Sequence, residues 1–167
     1  IILASEIDIE PKETAGTLHD KLMEVGSELV VKTVEQIEHS EIKTIPQPKT
    51  ETFKEAPKLT PENTRIDWNK SVSEIDAFIR GLSPYPVAWT ELHTDGETYK
   101  MKIYKAAASK EEHSEVIGSI STTKKELKIA AKNGYLYIKE LQLPGKRKMD
   151  TVSLLNGFSF TKDANAM

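Results

Sequence analysis

The sequence predicts a mixed protein: a strand and a long helix, then a connector, then a small β-barrel with short helices. Two observations predict this division. Apolar residues follow a strand period and then a helix period in residues 1–38, lack a sustained period in residues 40–64, and change to a period of two beyond Gly81. The length of 167 residues and the hydrophobic content of 38% suffice for one modest core, so two full domains are not expected.

Charge separates the same two parts of the chain. Residues 1–40 hold 3 basic and 9 acidic side chains, which leaves 20 basic and 17 acidic side chains for the rest. The two parts therefore have net charges of −6 and +3, and the whole chain −3. This balance excludes a polycationic protein, so any surface that binds nucleic acid must be local.

The first part is predicted to contain one strand and one amphipathic helix. Residues 1–9 alternate weakly, Pro11 ends the alternation, and Thr14 is a suitable helix N-cap. One apolar stripe then follows: Leu18, Leu22, Val25, Leu29, Val34 and Ile37. We expect this stripe to need a sheet that the chain does not supply. Because the chain also opens on Ile1 rather than Met, we expect it to be a portion of a longer protein.

The second part is predicted to form one long helix, about five short strands and one short helix. The capping box SVSE at residues 71–74 begins a helix that ends at Gly81. Asp95-Gly96 and Asn133-Gly134 are typical hairpin turns. Strands are expected at residues 87–92, 99–103, 116–120, 127–131 and 135–143, and a short helix at 150–156. Short strands in this number are typical of a small closed or partly closed barrel.

Residue content and spacing exclude several kinds of chemistry. The chain has no cysteine, no GxGxxG motif, and Glu140 where a P-loop before Gly145-Lys146 needs its first glycine. We expect no metal site, because the histidines are 20 or more residues apart: His19, His39, His93 and His113. The N-terminus lacks the basic region of a signal peptide, and no apolar run approaches the ~20 residues of a membrane helix.

Four stretches carry a resemblance to a known family. They are TAGTLHDKL at 14–22, KLTPENTRIDW at 58–68, IRGLSPYPVAW at 79–89 and LPGKRKM at 143–149. In this order and spacing they resemble the second half of methionyl-tRNA formyltransferase along nearly the whole chain. The resemblance implies that residues 1–38 end a doubly wound α/β formyltransferase domain and that residues 39–58 are a linker. It also implies that residues 59–167 are a tRNA-binding barrel similar to an OB-fold.

The resemblance also implies an activity for the parent protein. Members of this family transfer a formyl group from 10-formyltetrahydrofolate to the methionine of initiator methionyl-tRNA in cytoplasmic translation initiation. The family's catalytic residues and folate pocket would precede Ile1, so we expect no catalytic, cofactor or metal residue in this chain and no activity from it alone. His19 is expected to be structural or at the surface rather than a surrogate catalyst. The expected partners are initiator tRNA and the N-terminal catalytic domain, without a membrane.

Basic residues indicate where tRNA would bind. Lys146, Arg147 and Lys148 form the densest cationic run, on a Pro-Gly turn from which flexible side chains can reach phosphates. Lys54, Lys58 and Arg65 lie along the connector and just after it. A ligand that contacts both domains would pass this part of the chain. We predict these six residues as the tRNA-binding site. The strand residues Lys100, Lys102 and Lys105 are assigned to solubility instead.

Aromatic residues are assigned to the core. Trp68, Tyr85 and Trp89 have the rings needed to stack on unpaired bases, but at junctions between elements such rings more often anchor a helix to a sheet. Arg65 and Asp67 are interpreted as a structural pair. Two alternatives stay open: the barrel of a sugar-nucleotide formyltransferase, and a non-catalytic packing module. Convergence of cationic side chains on one face would distinguish them from a tRNA-binding barrel.

Overall fold

The computed structural model describes residues 1–39, 42–47, 49 and 55–167, which divide into two units, Ile1–Lys58 and Leu59–Met167. The first unit contains helix α1, Ala15–Glu38. Thr14 caps it, because its Oγ1 accepts a hydrogen bond of 3.2 Å from the Thr17 backbone N–H, while the Thr17 hydroxyl accepts one from the Thr14 N–H. The predicted helix and its N-cap are confirmed.

The strand predicted over residues 1–9 is wrong. Ile1 and Ile45 exchange two backbone hydrogen bonds of 2.8 Å, but no ladder of successive pairs follows among the described residues. Alternation of apolar and polar residues gives a segment the two different faces of a strand in a sheet. A strand also needs a neighbouring strand that accepts and donates its backbone hydrogen bonds.

Half of the residues in the apolar stripe of α1 are exposed, and the other half are only partly buried. The helix has no buried residue, and Leu22, Val34 and Ile37 are about half exposed, at 51%, 48% and 48%. The helix therefore forms with an apolar face in contact with solvent. That this face needs a sheet from outside the chain stays a prediction.

The second unit is a strongly curved antiparallel sheet with one long and one short helix. Its elements are α2 Val72–Leu82, β1 Ala88–Thr94, β2 Glu97–Ser109, β3 Ile120–Thr122, β4 Leu127–Ala131, β5 Gly134–Gln142, β6 Met149–Asp150, α3 Thr151–Leu155 and β7 Asn165–Ala166. The strand order is β3-β4-β5-β2-β1-β7, and β6 pairs with Glu140 and Leu141 of β5, beyond the residues of β5 that pair with β4. Both predicted hairpins and both predicted helices are confirmed, although α2 extends one residue past Gly81.

The two ends of this strand order meet. Ser119, just before β3, forms an antiparallel bridge with Asn165 of β7. Two backbone hydrogen bonds close the seam: the Ile120 N–H donates to Ala164 O at 3.1 Å, and the Ala166 N–H donates to Gly118 O at 2.8 Å. The predicted small barrel is therefore confirmed as a nearly closed one.

The predicted strand at residues 116–120 is wrong for all but its last residue. Val116 is 78% exposed, and the Ser119 N–H donates back to Val116 O at 3.0 Å, so the segment turns before β3 begins. Conversely, β2 runs on to Ser109, beyond the predicted residue 103, because its far end pairs with Tyr135 at the start of β5.

The core lies between α2 and the inner face of the barrel. Val72, Ile75 and Ile79 of α2 are almost fully buried. A residue of the sheet fixes the N-terminus of this helix: Asn133 Oδ1 in the β4–β5 turn accepts a 2.9 Å hydrogen bond from the Val72 N–H. Trp68 is 4% exposed, which confirms its assignment to the core.

Candidate nucleic-acid interface

A row of side chains crosses the outer face of the barrel. Arg65 is bridged to Trp89 of β1, Trp89 pairs with Lys102 of β2, and Lys102 pairs with Gln142 of β5. Three strand spacings of about 4.8 Å make this row roughly 14 Å long. The residues that alternate with it along β1 and β2 point into the core, so the members of the row face outward. We call the surface around this row the outer face.

The basic turn is attached to the far end of the row. The Gln142 Nε2 donates a 2.8 Å hydrogen bond to the carbonyl oxygen of Lys146, and the Gln142 Oε1 accepts one of 2.9 Å from the hydroxyl of Tyr104. This amide therefore connects the turn to the outer surface of β2. Lys146, Arg147 and Lys148 are all exposed. The structure thus brings Arg65 and the basic turn to one face of the barrel.

Two further lysines belong to the outer face. Lys102 lies within the row, and Lys100, two residues earlier on the same side of β2, places its Nζ 4.0 Å from the centre of the Trp89 ring. The pKa of Glu62 lies below its ordinary value, chiefly because the Thr60 side chain hydrogen-bonds to it, with the positive charge of Lys100 a further cause. Cationic side chains therefore converge across this surface.

Carboxylates neutralise part of this charge. Arg65 Nη2 lies 2.7 Å from Glu91 Oε2, and Lys148 Nζ lies 2.7 Å from Glu140 Oε2. The interpretation of Arg65 and Asp67 as a pair is wrong: Asp67 Oδ1 instead accepts hydrogen bonds from the backbone and side-chain N–H groups of Asn69. Asp67 therefore stabilises the turn at residues 67–69 rather than the side chain of Arg65.

The remaining two predicted site residues, Lys54 and Lys58, precede the barrel in the sequence. Lys58 is exposed and ends the first unit, Ile1–Lys58. Lys54 lies outside the described residues. Sequence reasoning missed Lys100, Lys102 and Gln142. The period-two alternation showed that the lysines share a face of β2, but nothing in the sequence shows which residues of β1 and β5 lie beside them.

The three aromatic residues differ from one another. Trp68 is in the core, where its Nε1 donates a 2.9 Å hydrogen bond to Thr90 Oγ1. Trp89 is half-buried on the outer face, so its assignment to the core is wrong; its Nε1 donates to Pro61 O at 2.7 Å. Tyr85 is 85% exposed, so its assignment to the core is wrong. The buried anchors of that loop are its flanking residues Ser83 and Val87 rather than the ring.

The described residues offer little for catalysis or metal binding. No cluster of three or more His, Asp or Glu side chains among them is arranged to hold a metal ion. His19 is exposed, and its Nδ1 lies 3.3 Å from Asp20 Oδ1. No helix in the described part of the chain is long and apolar enough to cross a membrane. Phosphate binding by charge is the chemistry that the outer face can perform.

Several known proteins are similar to this chain in sequence. Residues 58–159 match the family described as formyl transferase, C-terminal domain. The chain is 48% identical over 164 residues to a methionyl-tRNA formyltransferase of Flavobacterium johnsoniae and 40% identical over 167 residues to one of Bacteroides fragilis. These matches cover 98% and 97% of this chain but 52% of each relative, so the chain spans about half the length of the curated relatives it matches.

A solved structure shows the same fold. HypX from Aquifex aeolicus, in complex with tetrahydrofolic acid, is similar to this chain with a TM-score of 0.63 and 17% identity, over 89% of this chain and 26% of that one. At this identity the likeness concerns the fold alone.

A nearly closed antiparallel barrel, packed under one capping helix and cationic on one side, is thus the barrel of a formyltransferase. The family match covers more than half of the chain, and the chain belongs to the formyl transferase C-terminal domain family. The resemblance to methionyl-tRNA formyltransferases is confirmed by relatives that carry this name.

Proposed function

We propose that the outer face of the barrel binds the phosphates of initiator methionyl-tRNA. The single observation that supports this most is the convergence of Arg65, Lys100, Lys102 and the basic turn on one surface. Phosphate contacts of this kind fix the position of a nucleic acid without reading its sequence. The names of the relatives favour a tRNA substrate over a sugar nucleotide.

The chain would act as the tRNA-positioning portion of a methionyl-tRNA formyltransferase, an enzyme of translation initiation in the cytoplasm. In this proposal residues 1–38 belong to the formyltransferase domain, residues 39–58 link it to the barrel, and residues 59–167 form a barrel of the OB type. The enzyme would transfer the formyl group of 10-formyltetrahydrofolate to the amino group of methionyl-tRNA. We assign no formyl-donor contact to the described residues, so the chain alone would be inactive. Its contribution would be orientation of the acceptor end, which lowers the barrier by proximity.

A titration of the chain with initiator tRNA tests this proposal. The double variant K146E/R147E reverses two charges of the basic turn. The control K110E/K132E makes the same change of net charge near the start of β5, eight residues and roughly 26 Å from the turn along that strand. We expect the first variant to weaken binding strongly and to lower the slope of log K against log salt by about 2, and the control to change both much less.

Two results would contradict the proposal. Equal weakening by both variants would show a response to net charge rather than to the outer face. Unchanged binding of K146E/R147E would show that tRNA contacts the chain elsewhere, or that the barrel serves only for packing. Circular dichroism of both variants should match the wild type, because all four substituted side chains are exposed.

A further inference from the structure

Tyr85 is held rigidly while its ring projects into solvent. It stands between Pro84 and Pro86, whose rings fix φ and restrict the preceding residues. The flanking residues are anchored: the Ser83 N–H donates to Arg80 O at 3.2 Å and the Val87 N–H donates to Leu82 O at 2.9 Å, and both residues are buried. Tyr85 itself is 85% exposed. Because the backbone on both sides is already anchored, a ligand that binds to the ring has to order only the Tyr85 side chain and not the loop.

The ring of Tyr85 is open, in contrast to three half-buried aromatic rings of the barrel. Each of those three rings has a cation over it: Lys100 over Trp89, Lys148 over Tyr104 and Lys139 over Tyr137. Tyr85 has no hydrogen bond, cation or ring partner in the part of the chain that the structure describes. Its two faces are therefore available for stacking.

Tyr85 is also close to the outer face. Trp89 is four positions further along the chain, so the Cα atoms of the two residues are at most about 14 Å apart. Trp89 carries the contacts of Arg65 and Lys100, so the backbone of Tyr85 lies within about 14 Å of a residue that belongs to the cationic surface. A nucleic-acid strand held there by its phosphates would bring its bases to the same part of the barrel.

We infer that Tyr85 stacks on an unpaired base of the nucleic acid bound to the outer face, an inference that rests on the proposed function. The bases of a continuous duplex are already stacked on one another, whereas an unpaired nucleotide of a folded RNA can place its base on an aromatic ring. Tyr85 would thus distinguish a folded tRNA from a plain duplex of similar charge.

The test compares two RNAs and three substitutions. Initiator tRNA supplies unpaired nucleotides, and a blunt RNA duplex with a similar number of phosphates supplies none. For Y85A we expect tRNA affinity to fall about five- to hundredfold, the range found for removal of a stacking ring, and duplex affinity to stay within about twofold. Y85F and Y85W keep an aromatic ring and should retain tRNA binding. Thermal unfolding should be unchanged, because the side chain is exposed.

The outcomes separate this inference from the proposed function. Equal weakening of both RNAs by Y85A, or loss of tRNA binding in Y85F and Y85W as well, would overturn stacking on an unpaired base. Unchanged tRNA binding by Y85A would overturn it too. The exposed ring would then be a contact for another protein surface instead. In each case the proposed function stands if K146E/R147E still weakens tRNA binding, and it fails if that variant binds normally.

Discussion

Arg65 and Glu91 form an ion pair on the outer face of the barrel, with 2.7 Å between Nη2 and Oε2. The Arg65 guanidinium carbon also lies 5.4 Å from the centre of the Trp89 ring. Both charged side chains are about 40% exposed, at 41% and 38%, so solvent screens the pair and its contribution to stability is small. Its larger effect is electrostatic, because Glu91 competes with a phosphate for the same guanidinium.

Replacement of Glu91 by Gln should therefore strengthen tRNA binding. The amide keeps the shape of the side chain and removes the negative charge, so Arg65 is available to a phosphate. We expect the dissociation constant to fall about two- to fivefold at low salt, with a smaller difference at high salt. E112Q, which removes an exposed carboxylate in the loop after β2, is the matched control. Equal strengthening in both variants would show that Arg65 is not involved.

Within the basic turn, Arg147 should contribute more to tRNA binding than Lys148. Lys148 is already paired with Glu140 at 2.7 Å and lies 5.3 Å from the centre of the Tyr104 ring, whereas Arg147 has no such partner among the described residues. We expect R147A to weaken binding about three- to tenfold and K148A less than about threefold. Filter binding at two salt concentrations measures both. A larger loss for K148A would mean that its pairing with Glu140 breaks when tRNA binds.

The features predicted well are those set by neighbours in the sequence. The capping box at Ser71, the Asp95-Gly96 turn and the hairpin at Asn133 each depend on a few consecutive residues, and all three are present. Asp95 and Gly96 have φ values of 53° and 71°, as a type I′ hairpin turn requires.

The features predicted wrongly depend on residues distant in the sequence. Residues 1–9 have the alternation of a strand without a neighbour to pair with, and the apolar residues Val116 and Ile117 precede β3 in a turn rather than a strand. The sequence favours a solubility role for Lys102, because it does not show that Trp89 and Gln142 lie on either side of this residue. It favours a core position for Tyr85, because the pattern Pro-Tyr-Pro does not show which residue of the loop is buried.

Gly118 should be required for closure of the barrel. Its φ is 86°, a conformation that other residues rarely adopt, and a Cβ there would overlap the carbonyl oxygen of Ala166 in β7. We expect G118A to lower the free energy of unfolding by about 2–4 kcal/mol, because the backbone of the seam must move. Denaturant titration measures this. In G81A the new Cβ enters open space within α2, so this control should be neutral or more stable by up to about 1 kcal/mol. Equal stability of the two variants would contradict the role of Gly118.

Asp150 should make the stability of the barrel depend on pH. It is the N-cap of α3, where its Oδ1 accepts a 2.9 Å hydrogen bond from the Ser153 N–H and its Oδ2 accepts one of 2.8 Å from the Ser153 hydroxyl. These hydrogen bonds, the backbone one first, hold the pKa of Asp150 below its ordinary value. Because the folded-state pKa is the lower one, the stabilisation is complete above the unfolded pKa of about 3.9 and is lost as pH falls through the folded pKa.

The D150N variant isolates this effect. Asn is also a good N-cap but does not titrate, so α3 should persist in the variant at every pH. The pKa values of Glu74 and Asp163 are lowered as well, by hydrogen bonds from Ser71 and Thr161, so both proteins lose stability in acid. The contribution of Asp150 is the difference in free energy of unfolding between the wild type and D150N. We expect the advantage of the wild type in free energy of unfolding to shrink between pH 6 and pH 3, and an advantage that stays constant over that range would show that the Asp150 carboxylate does not contribute.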